Sequence, residues 1–220
     1  MRTALLILPL AILLALSATA ASAAEGIDKV NGSITAEAGR EYGNLETVNG
    51  SIRIEANART GSAETVNGSI RVADGARAGV LGTVNGSIHV GIGVRAGGIS
   101  TVNGGVFIDR GGIVDGGIET VNGAIGLVET DVARGLETVN GDVTVGAGSR
   151  VRGGLHVAKP RMQWLSIKQR DPRIVIGPRA QVEGAMVFER PVTLYVHETA
   201  KTGSVTGATA IRFSGDTPPR

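Results

Sequence analysis

Apolar and polar residues alternate in short runs along most of the chain, and the runs return at a fixed interval. In residues 65–72, which read Thr-Val-Asn-Gly-Ser-Ile-Arg-Val, the apolar residues Val66, Ile70 and Val72 sit at even spacing. Alternation with a period of two is typical of a β-strand with one buried face, and residues 73–75 (Ala-Asp-Gly) then give a turn signal. The pattern predicts two or three short strands in each repeat, joined by tight corners.

The interval is set by a recurring Val-Asn-Gly triplet. Its seven copies follow one another at steps of 18, 18, 18, 18, 19 and 18 along the chain, and six copies read Thr-Val-Asn-Gly. A fixed period of this length is the signature of a repeat architecture in which each unit stacks on the next. The asparagines of the seven copies are Asn31, Asn49, Asn67, Asn85, Asn103, Asn122 and Asn140.

A single repeat is too short to bury its own apolar face, so the sequence predicts an all-β, single-stranded β-solenoid with parallel stacked coils of about 18 residues. Strands stacked in this way rise by roughly 4.8 Å per coil. We expect Ile70 to stack on Ile52 and Ile88 inside the solenoid, and Val66 likewise to stack in an interior column with Val48 and Val84.

The cross-section of a coil is less constrained by the pattern. Apolar positions six residues apart fit a triangular coil with three six-residue sides, as in left-handed hexapeptide helices. Glu46, Glu64 and Glu119 fall where a small inward residue is expected on the third side. A right-handed or flattened solenoid therefore stays open as an alternative.

The Asn-Gly pairs are predicted to be structural. Both residue types tolerate positive φ, so the pair marks a sharp corner, and stacked asparagine amides can donate to one another along the rod. The alternative is glycosylation, because Asn31, Asn49, Asn67 and Asn85 each begin an Asn-Gly-Ser acceptor pattern. Other copies keep the asparagine and lose the serine, and glycans on one column would collide, so we favour the amide ladder.

The exact period is lost after Val145, although apolar alternation persists. We predict a regular solenoid over residues 24–154, irregular terminal coils or a cap over residues 155–213, and a disordered tail over residues 214–220. Solenoids need atypical end coils because a bare apolar end would polymerise. The bulky side chains expected to close that end are Trp164, Phe188 and Tyr195.

The first residues look like an export signal. Arg2 precedes an apolar run from Ala4 to Leu16, and residues 21–23 (Ala-Ser-Ala) form an A-x-A cleavage site. A signal peptide over residues 1–23 predicts a mature chain in the periplasm or at the cell surface, with no later transmembrane segment. The chain has no cysteine, so packing and backbone ladders rather than disulfides must hold it.

The charge distribution indicates one candidate binding patch. Residues 25–149 carry 9 basic and 15 acidic side chains, whereas residues 150–190 carry 9 basic and 3 acidic ones. A basic cluster of this kind would suit an anionic polymer or lipid head group, and the alternative is a solvated loop that keeps an end coil soluble. The cluster consists of Lys159, Arg161, Lys168, Arg170, Arg173 and Arg179.

No motif points to catalysis or to a cofactor. His89, His156 and His197 are far apart in sequence, and the chain has no metal-binding histidine spacing, nucleophile elbow or phosphate-binding loop. We predict a protein that is not an enzyme, needs no cofactor or metal and binds no nucleic acid.

The Thr-Val-Asn-Gly-Ser-Ile-x-Val repeats over roughly residues 28–157 resemble the adhesin-type β-solenoid domains of bacterial envelope proteins. That resemblance implies export and a surface role and carries over no site residues. The glycine-spaced segments 176–184 and 200–205 also resemble bactofilins, which are polymer-forming β-helical scaffolds, typically cytoplasmic and without a signal peptide.

These observations favour one function and leave two alternatives, of which the enzyme is the less favoured. The first is an exported structural or adhesive solenoid that binds envelope polysaccharide, an anionic polymer or another protein along a flat face, through the stripe Arg53, Arg71, His89 and Phe107. The second is a bactofilin-like scaffold that associates end to end. The third is a polysaccharide-active β-helix enzyme.

Overall fold

The chain folds into ten stacked coils whose strands form three parallel sheets, which run the length of the stack. The structure is a computed structural model that describes residues 24–160 and 170–219. Its described residues form strands, turns and bends without any helix. The predicted fold class, an all-β solenoid of stacked parallel coils of about 18 residues, is confirmed. The predicted signal peptide, residues 1–23, lies outside the described residues.

Each of the first nine coils contributes one strand to each sheet, in the order A, B, C, and the tenth coil contributes to sheets A and B only. Each strand pairs in parallel with its equivalents in the adjacent coils. Sheet A contains β1 (Ile27–Asn31), β4 (Leu45–Asn49), β7 (Ala63–Asn67), β10 (Leu81–Asn85), β13 (Ile99–Asn103), β16 (Ile118–Asn122), β19 (Leu136–Thr138), β22 (Leu155–Val157), β25 (Met186–Phe188) and β28 (Val205–Thr206).

Sheet B contains β2 (Ile34–Ala36), β5 (Ile52–Ile54), β8 (Ile70–Val72), β11 (Ile88–Val90), β14 (Val106–Ile108), β17 (Ile125–Leu127), β20 (Val143–Val145), β23 (Arg173–Ile176), β26 (Thr193–His197) and β29 (Ala210–Phe213). Sheet C contains β3 (Glu41–Tyr42), β6 (Arg59–Thr60), β9 (Arg77–Ala78), β12 (Arg95–Ala96), β15 (Ile113–Val114), β18 (Asp131–Val132), β21 (Arg150–Val151), β24 (Gln181–Val182) and β27 (Lys201–Thr202).

The interior is a set of columns of small and branched aliphatic side chains. Ile52, Ile70 and Ile88 are paired in register on sheet B and almost completely buried. Stacked β-branched residues fill a narrow interior without aromatic bulk, which explains how a chain with only 3% aromatic residues builds a core. The predicted isoleucine column is therefore present.

The predicted interior valine column is wrong. Val48 and Val66 face outward, and the neighbouring threonine of each copy faces inward instead. Thr65 is buried, and its Oγ1 donates to the backbone carbonyl of Gly50 in the preceding coil at 2.8 Å. The hydroxyl thereby satisfies a carbonyl at the corner, which a valine could not do. Glu46 and Glu64 alternate with these inward residues and also face outward, so they do not disturb the core.

The corner between sheets A and B brings successive backbones into contact. A Cβ added to Gly68 or Gly86 would overlap the glycine carbonyl of the preceding coil. Only a residue without a side chain fits there, which explains why glycine follows asparagine in the second to the seventh copy of the repeat. Gly32 of the first copy has open space around it and a φ of +105°, which glycine adopts without strain.

The terminal region continues the same three sheets. Val143 of β20 pairs with Ile174 of β23, so the spacing between equivalent positions is wider there than the 18 or 19 of earlier coils. The additional chain lies at the corner between sheets A and B, after Val157, and includes the undescribed residues 161–169.

The side chains at the C-terminal end of the stack differ from those predicted to close it. Phe188 is buried within the stack and Tyr195 lies on the outer side of sheet B, while Trp164 lies outside the described residues. In the last coil, Phe213 is buried edge-on against the ring of His197, with 5.0 Å between ring centroids. Residues 214–219, predicted to be a disordered tail, return to the solenoid, where the carbonyl of Pro219 accepts a hydrogen bond from the Arg173 guanidinium.

Candidate binding surfaces

The outer surface of each sheet, here called face A, B or C, carries rows of side chains with one residue per coil. These rows exist because parallel pairing sets equivalent residues directly over one another at roughly 4.8 Å. The face-B line consists of Arg53, Arg71, His89 and Phe107, which are register partners in four successive coils. All four are exposed, so the stripe expected from the sequence is a continuous surface feature.

Phe107 gives the face-B line an apolar platform. Its side chain is 43% exposed, and its ring lies over Gly126 of the next coil and 6.5 Å from the ring of His89. The glycine leaves room for the ring to lie against the sheet. An exposed aromatic ring in line with two guanidinium groups can contact the apolar face of a sugar ring while the arginines bind acidic groups.

The seven asparagines form one hydrogen-bonded column at the corner between faces A and B. The Nδ2 of each asparagine donates to the Oδ1 of the asparagine one coil earlier, over distances of 2.8–3.0 Å from Asn31 to Asn140. The last free Oδ1, that of Asn140, accepts from Arg190, which also donates to the carbonyl of Val139 at 3.1 Å. Every asparagine from the second coil onward has its amide engaged in the stack, which is the structural role expected for it.

Four residues of the predicted basic patch lie within the described ranges, three of them at the corner between sheets A and B (Lys159, Arg170 and Arg173) and Arg179 at the corner between sheets B and C. Arg170 and Arg173 come together around Asp142, whose carboxylate accepts from the Arg170 guanidinium and from the Arg173 backbone, each at 2.8 Å. The Arg173 guanidinium also stacks over the Tyr195 ring, 4.8 Å from its centroid. Lys159 lies at the opposite end of the inserted chain, and Arg179 lies at the corner between β23 and β24. Arg161 and Lys168 lie outside the described residues.

Sequence reasoning missed an arginine row on face C. It runs along the outward positions of sheet C and contains Arg59, Arg77 and Arg95 in three successive coils. The signal was available, because these arginines occupy the same position of three successive repeats, 18 residues apart. Arg59 contacts Glu41 at 3.0 Å and Arg95 contacts Asp115 at 2.7 Å, whereas Arg77 makes no ion pair among residues 24–160 and 170–219. The complete row is Glu41, Arg59, Arg77, Arg95, Ile113, Asp131, Arg150, Gln181 and Lys201.

Face A carries an acidic row in the corresponding positions. Burial raises the pKa of Glu46, with further contributions from the negative charges of Asp28 and Glu64 in the adjacent coils. Burial also raises the pKa of Glu119, with a further contribution from Glu137. The complete row is Asp28, Glu46, Glu64, Gly82, Ser100, Glu119, Glu137, His156, Val187 and Thr206.

Replacing Glu119 by glutamine should raise the melting temperature at neutral pH. The folded state raises the pKa of this carboxyl, so its ionised form destabilises the fold above that pKa. Below about pH 4 the carboxyl is protonated in the folded and the unfolded chain, so the difference should disappear. Thermal denaturation from pH 3 to pH 8 measures the effect, with Glu198→Gln, outside the acidic row, as the control. A lower melting temperature for Glu119→Gln at pH 7 would contradict the assignment.

His156 sits between Glu137 and Glu189, at 3.6 and 3.2 Å from their carboxylate oxygens, on a flat outer face. Among the described residues, no group of histidine, aspartate and glutamate side chains could hold a metal ion. An open depression of about 410 Å³ lies next to the inserted chain and is lined by Asn122, Gly123, Asn140, Asp142, Arg170 and Pro172. Nothing in the described ranges resembles a helix long and apolar enough to cross a membrane.

Comparison of the chain with protein-family models, with curated proteins and with solved structures finds no match. The geometry of the three faces is therefore the basis for a functional assignment.

Proposed function

We propose that the protein is an exported, non-catalytic structural or adhesive solenoid of the bacterial cell envelope, which binds an extended acidic polysaccharide along face B. The observation that carries the proposal is the face-B line, four exposed side chains aligned one per coil on a flat sheet. A flat row with a regular repeat suits a repeating polymer better than a small molecule, which needs a concave site.

The chemistry of the line favours an acidic sugar polymer. Arg53 and Arg71 can each donate two parallel hydrogen bonds to a carboxylate, and Phe107 can contact the face of a sugar ring. Arg53 is loosely paired with Glu55 at 3.9 Å and keeps 57% of its side chain exposed, so its guanidinium is accessible. Export is supported by the charged, apolar and small-residue pattern of residues 1–23.

The proposal is tested by binding of the purified protein to polygalacturonate and to peptidoglycan sacculi, with dextran as the neutral control polymer. The double variant Arg53→Glu/Arg71→Glu should bind polygalacturonate at least about tenfold more weakly, because two attractive contacts become repulsive. Phe107→Ala should weaken binding without changing its dependence on salt. The double variant Arg110→Glu/Arg134→Glu makes the same change in net charge at exposed positions outside the face-B line and should bind like the parent.

Two results would contradict the proposal. One is equal binding by the parent and Arg53→Glu/Arg71→Glu, which would remove face B as the binding surface. The other is the release of new sugar ends from either polymer, which would make the protein an enzyme.

A further inference from the structure

Opposite charges are separated between the faces of the solenoid in its first coils, where coil n is the nth coil of the stack. Coil 2 carries Glu46 on face A and Arg53 and Arg59 on faces B and C, with Glu55 at the corner between them. Coil 3 repeats the arrangement with Glu64, Arg71, Arg77 and Asp74. Each of these coils has no net charge, so copies of the rod do not repel one another strongly in this section, and each copy presents an acidic and a basic face.

We propose that face A of one copy packs against face C of a second copy, with the rods parallel and shifted by one coil. The acidic row and the arginine row both advance by one residue per coil, so their charges share one spacing of roughly 4.8 Å. Two rows with the same spacing can match over their whole length once their relative shift is correct. This assembly is independent of the polysaccharide site, which lies on face B.

The one-coil shift brings opposite charges together at four positions and sets no acidic residue against another. Asp28, Glu46 and Glu64 of coils 1–3 meet Arg59, Arg77 and Arg95 of coils 2–4, and Glu119 of coil 6 meets Arg150 of coil 7. Without the shift, Asp28 would face Glu41 and Glu119 would face Asp131, which are repulsive contacts.

Shape supports the same shift. Ile113 interrupts the arginine row and is 42% exposed. In the shifted arrangement it meets Gly82, the one position of the acidic row without a side chain, whose backbone lies low between the side chains of Glu64 and Ser100. An alanine Cβ at Gly82 would meet only ordinary contacts, at 3.5 Å or more, so the fold of a single chain does not require glycine there. If the two rods were antiparallel, four pairs of opposite charges could also form. In that arrangement Ile113 would face Ser100, and Gly82 would face Asp131, so the apolar side chain and the glycine would no longer be matched.

The arginines of the row are available for a partner. The side chains of Arg59, Arg95 and Arg150 remain 60%, 56% and 45% exposed although they contact Glu41, Asp115 and Glu183. Exposed ion pairs of this kind contribute little to stability, so a guanidinium can share its donors with a carboxylate from a second copy. Because the two faces differ, every added copy leaves a new face A or face C open, and the assembly can grow.

Sedimentation velocity over a concentration series tests the proposal. The purified protein should associate at low ionic strength, near 0.01 M, and become monomeric near 1 M salt, where the Debye length falls to about 3 Å. Association that is unchanged at high salt, or a monomer at every concentration and ionic strength, would overturn the proposal.

Complementary charge reversal tests the faces. Glu46→Arg/Glu64→Arg and Arg77→Glu/Arg95→Glu should each raise the dissociation constant about a hundredfold, because two attractive contacts become repulsive. An equimolar mixture of the two variants should associate again, which also shows that each variant is folded. A mixture that stays monomeric would overturn the proposal. Arg53→Glu/Arg71→Glu, which removes the polysaccharide site on face B, should associate like the parent, so the two proposals can fail separately.

Cross-linking tests the shift, because the chain has no cysteine of its own. A mixture of Glu46→Cys and Arg77→Cys should form an intermolecular disulfide on mild oxidation. The pair Glu46→Cys and Arg59→Cys would cross-link if the parallel rods were not shifted. The pair Glu64→Cys and Arg150→Cys would cross-link if the rods were antiparallel. Faster cross-linking of either of these pairs would overturn the parallel arrangement with a one-coil shift.

Discussion

Replacing Gly86 by alanine should destabilise the solenoid by about 3 kcal/mol or more, because the added methyl group would overlap the backbone carbonyl of Gly68 in the preceding coil. The neighbouring atom belongs to the backbone and cannot turn away as a flexible side chain could. Relief requires the two coils to separate at this corner, which would weaken the hydrogen bonds between the sheet strands on either side. Chemical denaturation followed by circular dichroism measures the loss.

Gly82→Ala is the matched control for this prediction. It adds the same methyl group earlier in the same coil, where the nearest atom would be the Cγ of Glu64 at 3.5 Å. Its effect should stay within about 0.5 kcal/mol, because the added methyl group would make only ordinary van der Waals contacts. Equal effects of the two substitutions would show that the backbones at the corner are not in close contact.

Replacing Ile88 by alanine should cost about 3–4 kcal/mol of unfolding free energy, within the range for buried large-to-small substitutions. Ile88 is fully buried and is held in register between Ile70 and Val106 of the adjacent coils. The sheets fix the distance between coils, so neighbouring side chains cannot collapse into the space that the substitution leaves. The same denaturation experiment gives the magnitude.

Two substitutions bracket this result. Ile88→Val removes one methylene and should cost about 1 kcal/mol. His89→Ala changes the next residue, which faces outward in the same strand, and should cost less than about 0.5 kcal/mol. A larger loss for His89→Ala than for Ile88→Ala would mean that the inward and outward faces of β11 are assigned the wrong way round.

The repeat predicted the stacking of the coils because a fixed period carries each residue onto its equivalent in the next coil. Stacking of equivalent residues is independent of which side chains face inward, and the fixed period correctly predicted the isoleucine column at Ile52, Ile70 and Ile88. It also led to the asparagine column, whose amides are joined by hydrogen bonds. Periodicity alone is sufficient for both features.

The inward and outward sides of sheet A could not be obtained from the same pattern. The alternation of Val66, Ile70 and Val72 was continued through the Asn-Gly corner, although the chain changes direction there. In the structure the inward residues on either side of the corner are Thr65 and Ile70, which are an odd number of residues apart. The corner therefore shifts the alternation by one residue. Hydrophobicity favoured valine for the interior, and the buried hydrogen bond of the threonine hydroxyl reverses that preference.

The rows of side chains on the outer faces were predicted in part. The face-B line follows directly from the period, because its residues occupy one repeat position. The basic cluster of residues 159–179 was inferred from local density of charge, and β23 places Arg179 at a different corner from Lys159 and Arg173. The arginine row was missed because its members are a full repeat apart and produce no local cluster. In a solenoid, charges that form one surface are spaced by the period rather than clustered in sequence.

The extra chain after Val157 has a practical consequence for protein engineering. Sheets A and B continue on both sides of it with their strands still paired, since β19, β22 and β25 follow one another in sheet A and β20, β23 and β26 in sheet B. That corner already accommodates a detour without loss of alignment. A foreign epitope or enzyme loop grafted there would project from a defined coil of the solenoid, which makes this position suitable for displaying peptides at a fixed distance along the stack.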